Sequence, residues 1–233
     1  MAEGYFADDE TRAERVQALF DTIASRYDRI NNLQSFWLHH RWKRRLVELA
    51  QVQSGHHTLD LCCGTGDIAR ALAHQGAKVT ALDFSVEMLK VARANTAGQV
   101  EYLQRDALET GLPSDHFHAV TIAYGLRNLA DFEGGLREMY RVIRPGGRLC
   151  ILDFGKPSNA LVRFWYQGYL KWIVPVFGRL LCNDAPAYAY IHQSLQDYPA
   201  QKGTAAALSQ LGCREVETHN LMLGCMAIAV GIK

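Results

Sequence analysis

Hydrophobic positions along the chain change period twice. Val16, Leu19, Phe20 and Ile23 recur at helical spacing behind a Thr11/Glu14 capping box, which predicts a first helix. A second helix is predicted after Ser35, with Leu38, Trp42, Leu46 and Leu49 on one face and Arg41, Lys43, Arg44 and Arg45 on the other. From His57 the pattern becomes short apolar runs alternating with amphipathic ones. Strands are predicted over Thr58–Cys62, Lys78–Leu82, Val100–Gln104, Ala119–Ala123 and Arg148–Phe154. Between them lie helices over Ile68–Gln75 (stopped by Gly76), from the Ser85 cap through Ala94, and over Phe132–Ile143, ended by Pro145-Gly146-Gly147. Repeated βα units require a mostly parallel sheet covered on both faces.

The tail departs from that alternation. A helix over Ala200–Leu211 stops at Gly212, and Glu215–Thr218 and Met226–Ile232 read as consecutive strands joined by a short turn. The fold class is therefore α/β, a doubly wound, Rossmann-like, seven-stranded and mostly parallel sheet closed by an antiparallel pair. Ser158 to Gln196 interrupts the order and is expected to form a helical insertion over one end of the sheet.

Composition narrows the class further. With 233 residues, 48% of them hydrophobic, the chain can bury a core without disulfides or a metal. The 25 basic against 24 acidic residues lack the surplus that phosphate contacts demand, so no nucleic-acid partner is expected. The polar start MAEGYFADDETR is unlike a secretory signal, and the six cysteines form no C-x-x-C array. A cytoplasmic setting with free thiols is the expectation. The most apolar stretch, Leu161 to Cys182, is interrupted by Arg163, Gln167, Lys171, Pro175 and Arg179 and is not read as a span.

Ligands of open α/β sheets bind beyond the carboxyl ends of the strands. Leu61-Cys62-Cys63-Gly64-Thr65-Gly66-Asp67 occupies that place after the first strand, where Gly64 and Gly66 allow a sharp turn and close approach. Asp83, at the tip of the second strand and 17 residues past Gly66, suits ribose hydroxyls. Gly64 to Ala69 also satisfies a relaxed dinucleotide pattern, so a nicotinamide or flavin cofactor stays open. Three features favour S-adenosylmethionine. Asp67 is poorly placed for a pyrophosphate but well placed for an amino group, Asp106-Ala107 after the third strand suits adenine, and the antiparallel tail suits a methyltransferase sheet.

These residues resemble the class I S-adenosylmethionine methyltransferases, and within them the ubiquinone/menaquinone-biosynthesis C-methyltransferases. The resemblance is carried by Phe20 to Asp28, Asn31-Asn32-Leu33, His40 to Lys43, Leu59 to Asp67, Tyr124 to Asn128, Tyr140 to Gly147, and Asn183-Asp184-Ala185 with Tyr188 and Tyr190. It runs from about Val16 to the C-terminus. GTGD and PGG are common to many methyltransferases, whereas the YD…NN…WK entry, GLRN and NDA together are far more specific. The chain then reads as one methyltransferase domain, 1–233. It comprises a helical extension (1–55), a cofactor-binding core (56–157), a helical insertion covering the substrate (158–198), and a terminal helix and strand pair (199–233).

The resemblance implies S-adenosyl-L-methionine held by Gly64, Thr65, Gly66, Asp67, Asp83, Phe84, Asp106, Ala107 and Ala123. Ala123 stands where relatives often carry serine, which removes one side-chain hydrogen bond, and Cys63 stands where many carry glycine, a difference expected to bear on cofactor affinity rather than on the backbone path. The implied substrate is a prenylated quinol, demethylmenaquinol or a ubiquinone precursor, methylated at a ring carbon. Carbon attacks the sulfonium methyl only when a neighbouring hydroxyl donates charge, so Arg127 is expected to stabilise that oxygen or hold a water that takes the proton. Asn128 would orient the same group, and Asp184 is a weaker catalytic candidate. Tyr27, Asn31, Tyr124, Tyr188 and His192 are candidate substrate contacts. Phe164, Trp165, Tyr169, Trp172, Ile173 and Phe177 would line an apolar groove, lie against a membrane, or simply pack the insertion on the sheet. Arg41 to Arg45 beside Trp37 and Trp42 form either a solvated basic face or a peripheral membrane contact. No metal site is expected, and a homodimer is compatible with the reading. The competing readings are a nicotinamide oxidoreductase and a non-catalytic scaffold of a quinone-synthesis complex.

Overall fold

A string of short helices precedes the sheet, because the first fifty residues place apolar side chains at helical spacing and the next hundred do not. The computed structural model describes residues 12–96, 98–174, 176, 194–195 and 198–233. Helix α1 (Arg12–Ile23) passes through a 3-10 turn at Ala24–Arg26 into α2 (Tyr27–Gln34), and α3 (Leu38–Leu49) follows. Thr11 lies outside the described residues, so the predicted capping box does too.

The alternating part holds β1 (His57–Leu61), α4 (Asp67–His74), β2 (Lys78–Asp83), α5 (Val86–Ala94), β3 (Val100–Gln104), β4 (Phe117–Ala123), α6 (Phe132–Val142) and β5 (Ile143–Phe154). Ser85 caps α5 as predicted, its Oγ accepting from the Met88 amide at 3.1 Å. Then come α7 (Ala160–Gly168), a π turn at Tyr169–Ile173, α8 (Ala200–Gln210), β6 (Arg214–Leu221) and β7 (Met226–Ile232).

Seven strands form one sheet in the order β3-β2-β1-β4-β5-β7-β6. All neighbours from β3 to β5 are parallel, and β7 runs antiparallel to both β5 and β6. Side chains alternate across it. Val120, Ile122, Leu149 and Ile151 face a core shared with α1 and α6, while Ala119, Cys150 and Leu152 face one shared with α3 and α4.

One predicted boundary is corrected. Pro145-Gly146-Gly147 is not a turn ahead of the strand, because β5 begins at Ile143 and the motif is a bulge between the Phe117–Ile143 and Ala119–Arg148 pairs. Gly146 takes φ +77° there, and its amide donates to the Lys233 carbonyl at 2.8 Å, so the bulge is tied to the end of β7. The chain leaves β1 and β4 toward opposite sides of the sheet, and the crevice between those strand tips is where the site forms.

Candidate active site

At the tip of β1 the backbone turns back on itself. Cys62 (φ +52°), Gly64 (φ +53°) and Gly66 (φ +83°) all take left-handed conformations, and Gly66 opens α4. The Gly64 amide donates to Asp83 Oδ2 at 2.8 Å and the Ser85 amide to Asp83 Oδ1 at 2.9 Å, so one carboxylate fastens the first loop to the second. Burial pushes the Asp83 pKa up, and these backbone donors work against that shift.

The resulting cleft, about 110 Å³, is lined by six of the nine predicted cofactor residues: Gly64, Asp83, Phe84, Asp106, Ala107 and Ala123. Its roof is α1, through Val16, Gln17 and Phe20, held down where Gln17 Nε2 donates to the Phe84 carbonyl and Asp21 accepts from the Ser85 hydroxyl. This donor set fits an adenosyl sulfonium. Carboxylates stand at the tips of β2 and β3, Leu82, Met88 and Leu108 supply apolar walls, and buried Asn128 Oδ1 lacks a hydrogen-bond partner among the described residues.

The other three predicted cofactor residues lie beneath the loop or beside it. Thr65 Oγ1 donates to Asp28 Oδ1 at 2.8 Å, and a Cβ on Gly66 would meet the Tyr102 hydroxyl at 2.5 Å. Asp67 does not line the cleft; Lys43 Nζ contacts it at 2.8 Å and Arg70 closes on its other oxygen. Burial would raise the Asp67 pKa, but the two cations outweigh it and the carboxyl is lowered. Lys43, expected on a basic face that is either solvated or set against a membrane, is instead drawn inward because α3 packs on α4.

A second cavity of about 670 Å³ adjoins the first, and Tyr27 and Tyr124 belong to both. Asn31 and Arg127 line this larger one, with Trp165 and Tyr169 from the predicted aromatic set. Phe164, Trp172 and Ile173 are exposed, so they do not pack the insertion on the sheet. Arg127 is buried and held, with Nη1 at 2.8 Å from Asp153 Oδ1 and 2.6 Å from the Tyr124 carbonyl, and its guanidinium 4.6 Å from the Phe154 ring centre. Tyr124 takes φ +61°, and its buried hydroxyl has no hydrogen-bond partner among the described residues. Burial drives both Tyr27 and Tyr124 upward, so they stand at the junction as neutral phenols. Asp184, Tyr188, His192 and Phe177 lie outside the described residues.

Some residues of the two cavities carried no sequence signal as ligands. Gln17 reaches the cleft only because α1 folds across the strand tips, and His39 and Trp42 reach the larger cavity because α3 turns its inner face to it. Helical periodicity could have placed Trp42 inward but not beside a ligand. His39, His40 and Asp67 bring ligand-type atoms within 4.8 Å of one another, yet Lys43 and Arg70 already neutralise the carboxylate, a setting that repels a metal ion. Cys62 and Cys63 are held as thiols, their pKa values driven well up by burial.

The fold has counterparts among known proteins. Among solved structures, the methyltransferase in complex with the Trm112 activator of Haloferax volcanii superposes with a TM-score of 0.67 at 18% identity, over 91% of this chain and 96% of that one. A SAM-dependent methyltransferase from Aquifex aeolicus gives 0.58 at 18% identity, over 82% and 88%. At these identities the likeness shows the fold. Sequence relatives are nearer: the ubiquinone/menaquinone biosynthesis C-methyltransferases UbiE of Pseudomonas fluorescens (strain Pf0-1) and Ectopseudomonas mendocina (strain ymp) are 38% and 39% identical, each over 97% of this chain and 91% of its own length. Residues 8–233 match the ubiE/COQ5 methyltransferase family. The chain belongs to that family and is an S-adenosylmethionine-dependent methyltransferase.

Proposed function

We propose that the chain methylates a ring carbon of a prenylated quinol, with demethylmenaquinol as its first substrate and a ubiquinone precursor as the second ring it accepts. The observation that carries this reading is the junction of two cavities at Tyr27 and Tyr124, one with carboxylates at its wall and one large and apolar. A flat ring at the junction would leave a hydrocarbon tail in the larger space. Tyr27, Tyr124, Phe154 and Tyr166 wall that inner end, which suits an apolar bicyclic ring better than a heavily oxygenated single one. The names of the UbiE relatives cover both quinone classes.

The cofactor supplies an electrophilic methyl group. The protein's part is to bring ring and donor into line, which is worth about 7–11 kcal/mol in well-oriented systems. The attacked carbon needs charge from an adjacent hydroxyl, so the substrate is the reduced quinol. Arg127 lies on the cavity wall with its charge partly offset by Asp153, and it presents a fixed dipole toward the developing oxyanion rather than a bare cation. Asn128 Nδ2 donates to the Tyr124 carbonyl at 3.2 Å and so positions the residue shared by the two cavities.

The test is incubation with methyl-labelled S-adenosylmethionine and a panel of short-tailed naphthoquinols and benzoquinols, reduced or oxidised, with products identified by mass. Ring-methylated product from the reduced naphthoquinol supports the reading. Equal transfer to the oxidised ring, or methylation at oxygen, overturns the proposed activation. A chain that yields no methylated product yet assembles with quinone-synthesis enzymes would be the scaffold instead.

A further inference from the structure

The apolar cavity opens through a rim that its own polypeptide leaves uncovered among the described residues. Phe36, Leu161, Trp165, Met222 and Leu223 line it and are exposed, Leu223 to 77%. Trp37 follows Phe36 directly, and the Phe164 ring lies 5.6 Å from that of Trp165. Trp172 sits on the π turn whose Tyr169 and Leu170 line the cavity. Exposed large apolar side chains gathered round one opening mark an interaction surface, unlike singly scattered ones.

Charge identifies the partner. The three rim segments, 36–47, 160–174 and 221–226, contain no aspartate or glutamate, although the whole chain has 24 acidic against 25 basic residues. The same segments expose Arg41, Arg44, Arg163 and Lys171, and Lys171 Nζ rests 5.2 Å from the Trp172 ring centre. A second copy docking through the same face would set like charges against each other. An anionic bilayer accepts both parts of the pattern: tryptophans settle at the headgroup level, and lysine and arginine stems lie along apolar surface with their charges on the lipid phosphates.

We propose that this rim docks on an anionic lipid bilayer, so that the cavity mouth opens into the acyl layer and takes a tail-bearing substrate sideways from the membrane. The inference rests on the quinol reading for its purpose, but bilayer binding is measured without any turnover.

The experiment compares co-sedimentation of the full chain with vesicles of phosphatidylcholine alone and of equal parts phosphatidylcholine and phosphatidylglycerol. Two variants accompany the wild type, Trp37→Asn/Phe164→Ser/Trp172→Ser and Arg41→Glu/Arg44→Glu, both made of residues that line neither cavity. Asparagine at position 37 tolerates the left-handed φ of +61°. The wild type should bind the anionic vesicles, and each variant should bind at least about tenfold more weakly while keeping wild-type turnover of a short-tailed quinol in solution. Turnover of a long-tailed quinol in anionic vesicles should fall with the binding. Wild-type failure to sediment, equal binding of wild type and variants, or a dimer that the same substitutions dissociate would overturn the proposal. Vesicle binding with no quinol methylated would leave the docking surface standing and sink the substrate assignment instead.

Discussion

Gly66 shows how tightly the cofactor loop is specified at single residues. Its φ of +83° is costly for any side chain, and a Cβ there would also press on the Tyr102 hydroxyl at 2.5 Å and on Ala92 at 3.2 Å. Gly66→Ala should therefore destabilise the protein by about 1–3 kcal/mol, read from urea unfolding. Adding Tyr102→Phe should recover part of that loss, and no recovery would show that backbone strain alone is responsible. The buried Arg127–Asp153 pair sets a different problem. Arg127→Ala strands a carboxylate in the interior, a change worth about 3–5 kcal/mol, so loss of turnover in that variant does not by itself reveal catalysis. Arg127→Met/Asp153→Asn removes the orphaned charge. Its melting temperature should lie well above that of Arg127→Ala while turnover stays abolished. Wild-type turnover in the double variant would remove Arg127 from the chemistry.

Among the elements, α1 contributes most that the sequence did not announce. Its apolar stripe is legible as a helix face, but the strip holding Leu19 and Ile23 enters the core while Val16 and Phe20 roof the cofactor cleft, and periodicity cannot separate those fates. Phe20→Ala should leave the fold intact and weaken binding of S-adenosylhomocysteine by about tenfold in calorimetry, a little over one kcal/mol. Unchanged affinity would mean that α1 covers the cleft without touching its occupant. The βα alternation, the Ser85 cap and the tail strands were readable because each follows from local pattern. The Pro145-Gly146-Gly147 bulge was not, since only pairing with β4 and with Lys233 turns a stop signal into strand. For the same reason Asp67 was readable as an acid at a helix start, whereas its capture by Lys43 depends on how α3 lies against α4. Residues at strand tips could be placed from the topology alone, and side chains arriving from other helices could not.

For the molecule as a whole, two buried groups shifted in opposite directions make opposed contributions to the pH response. His39 is pressed down to about 4 by burial, with Lys43 and His40 adding to the shift against the weaker pull of Asp67. Between about pH 4 and 6.5 the unfolded chain binds a proton there that the native one does not, so this residue makes stability rise with pH, by on the order of 3 kcal/mol over the window. Asp60 does the reverse. Burial lifts it to about 7, against a hydrogen bond from Thr121 Oγ1 at 2.7 Å and the Lys43 charge. The native state then holds a proton that the unfolded carboxyl has lost above about pH 4, and stability falls as pH rises toward 7. The slopes oppose each other over nearly the same range, so the wild type should change little in urea midpoint between about pH 4.5 and 6.5 on account of this pair. Glu138, held down to about 2 chiefly by its hydrogen bond from Arg141, acts below that window. His39→Gln should expose the Asp60 slope, with stability falling as pH rises. Asp60→Asn should expose the His39 slope, with stability rising. If both variants tilt the same way, the two groups do not titrate as the burial of each requires, and the balance has another source.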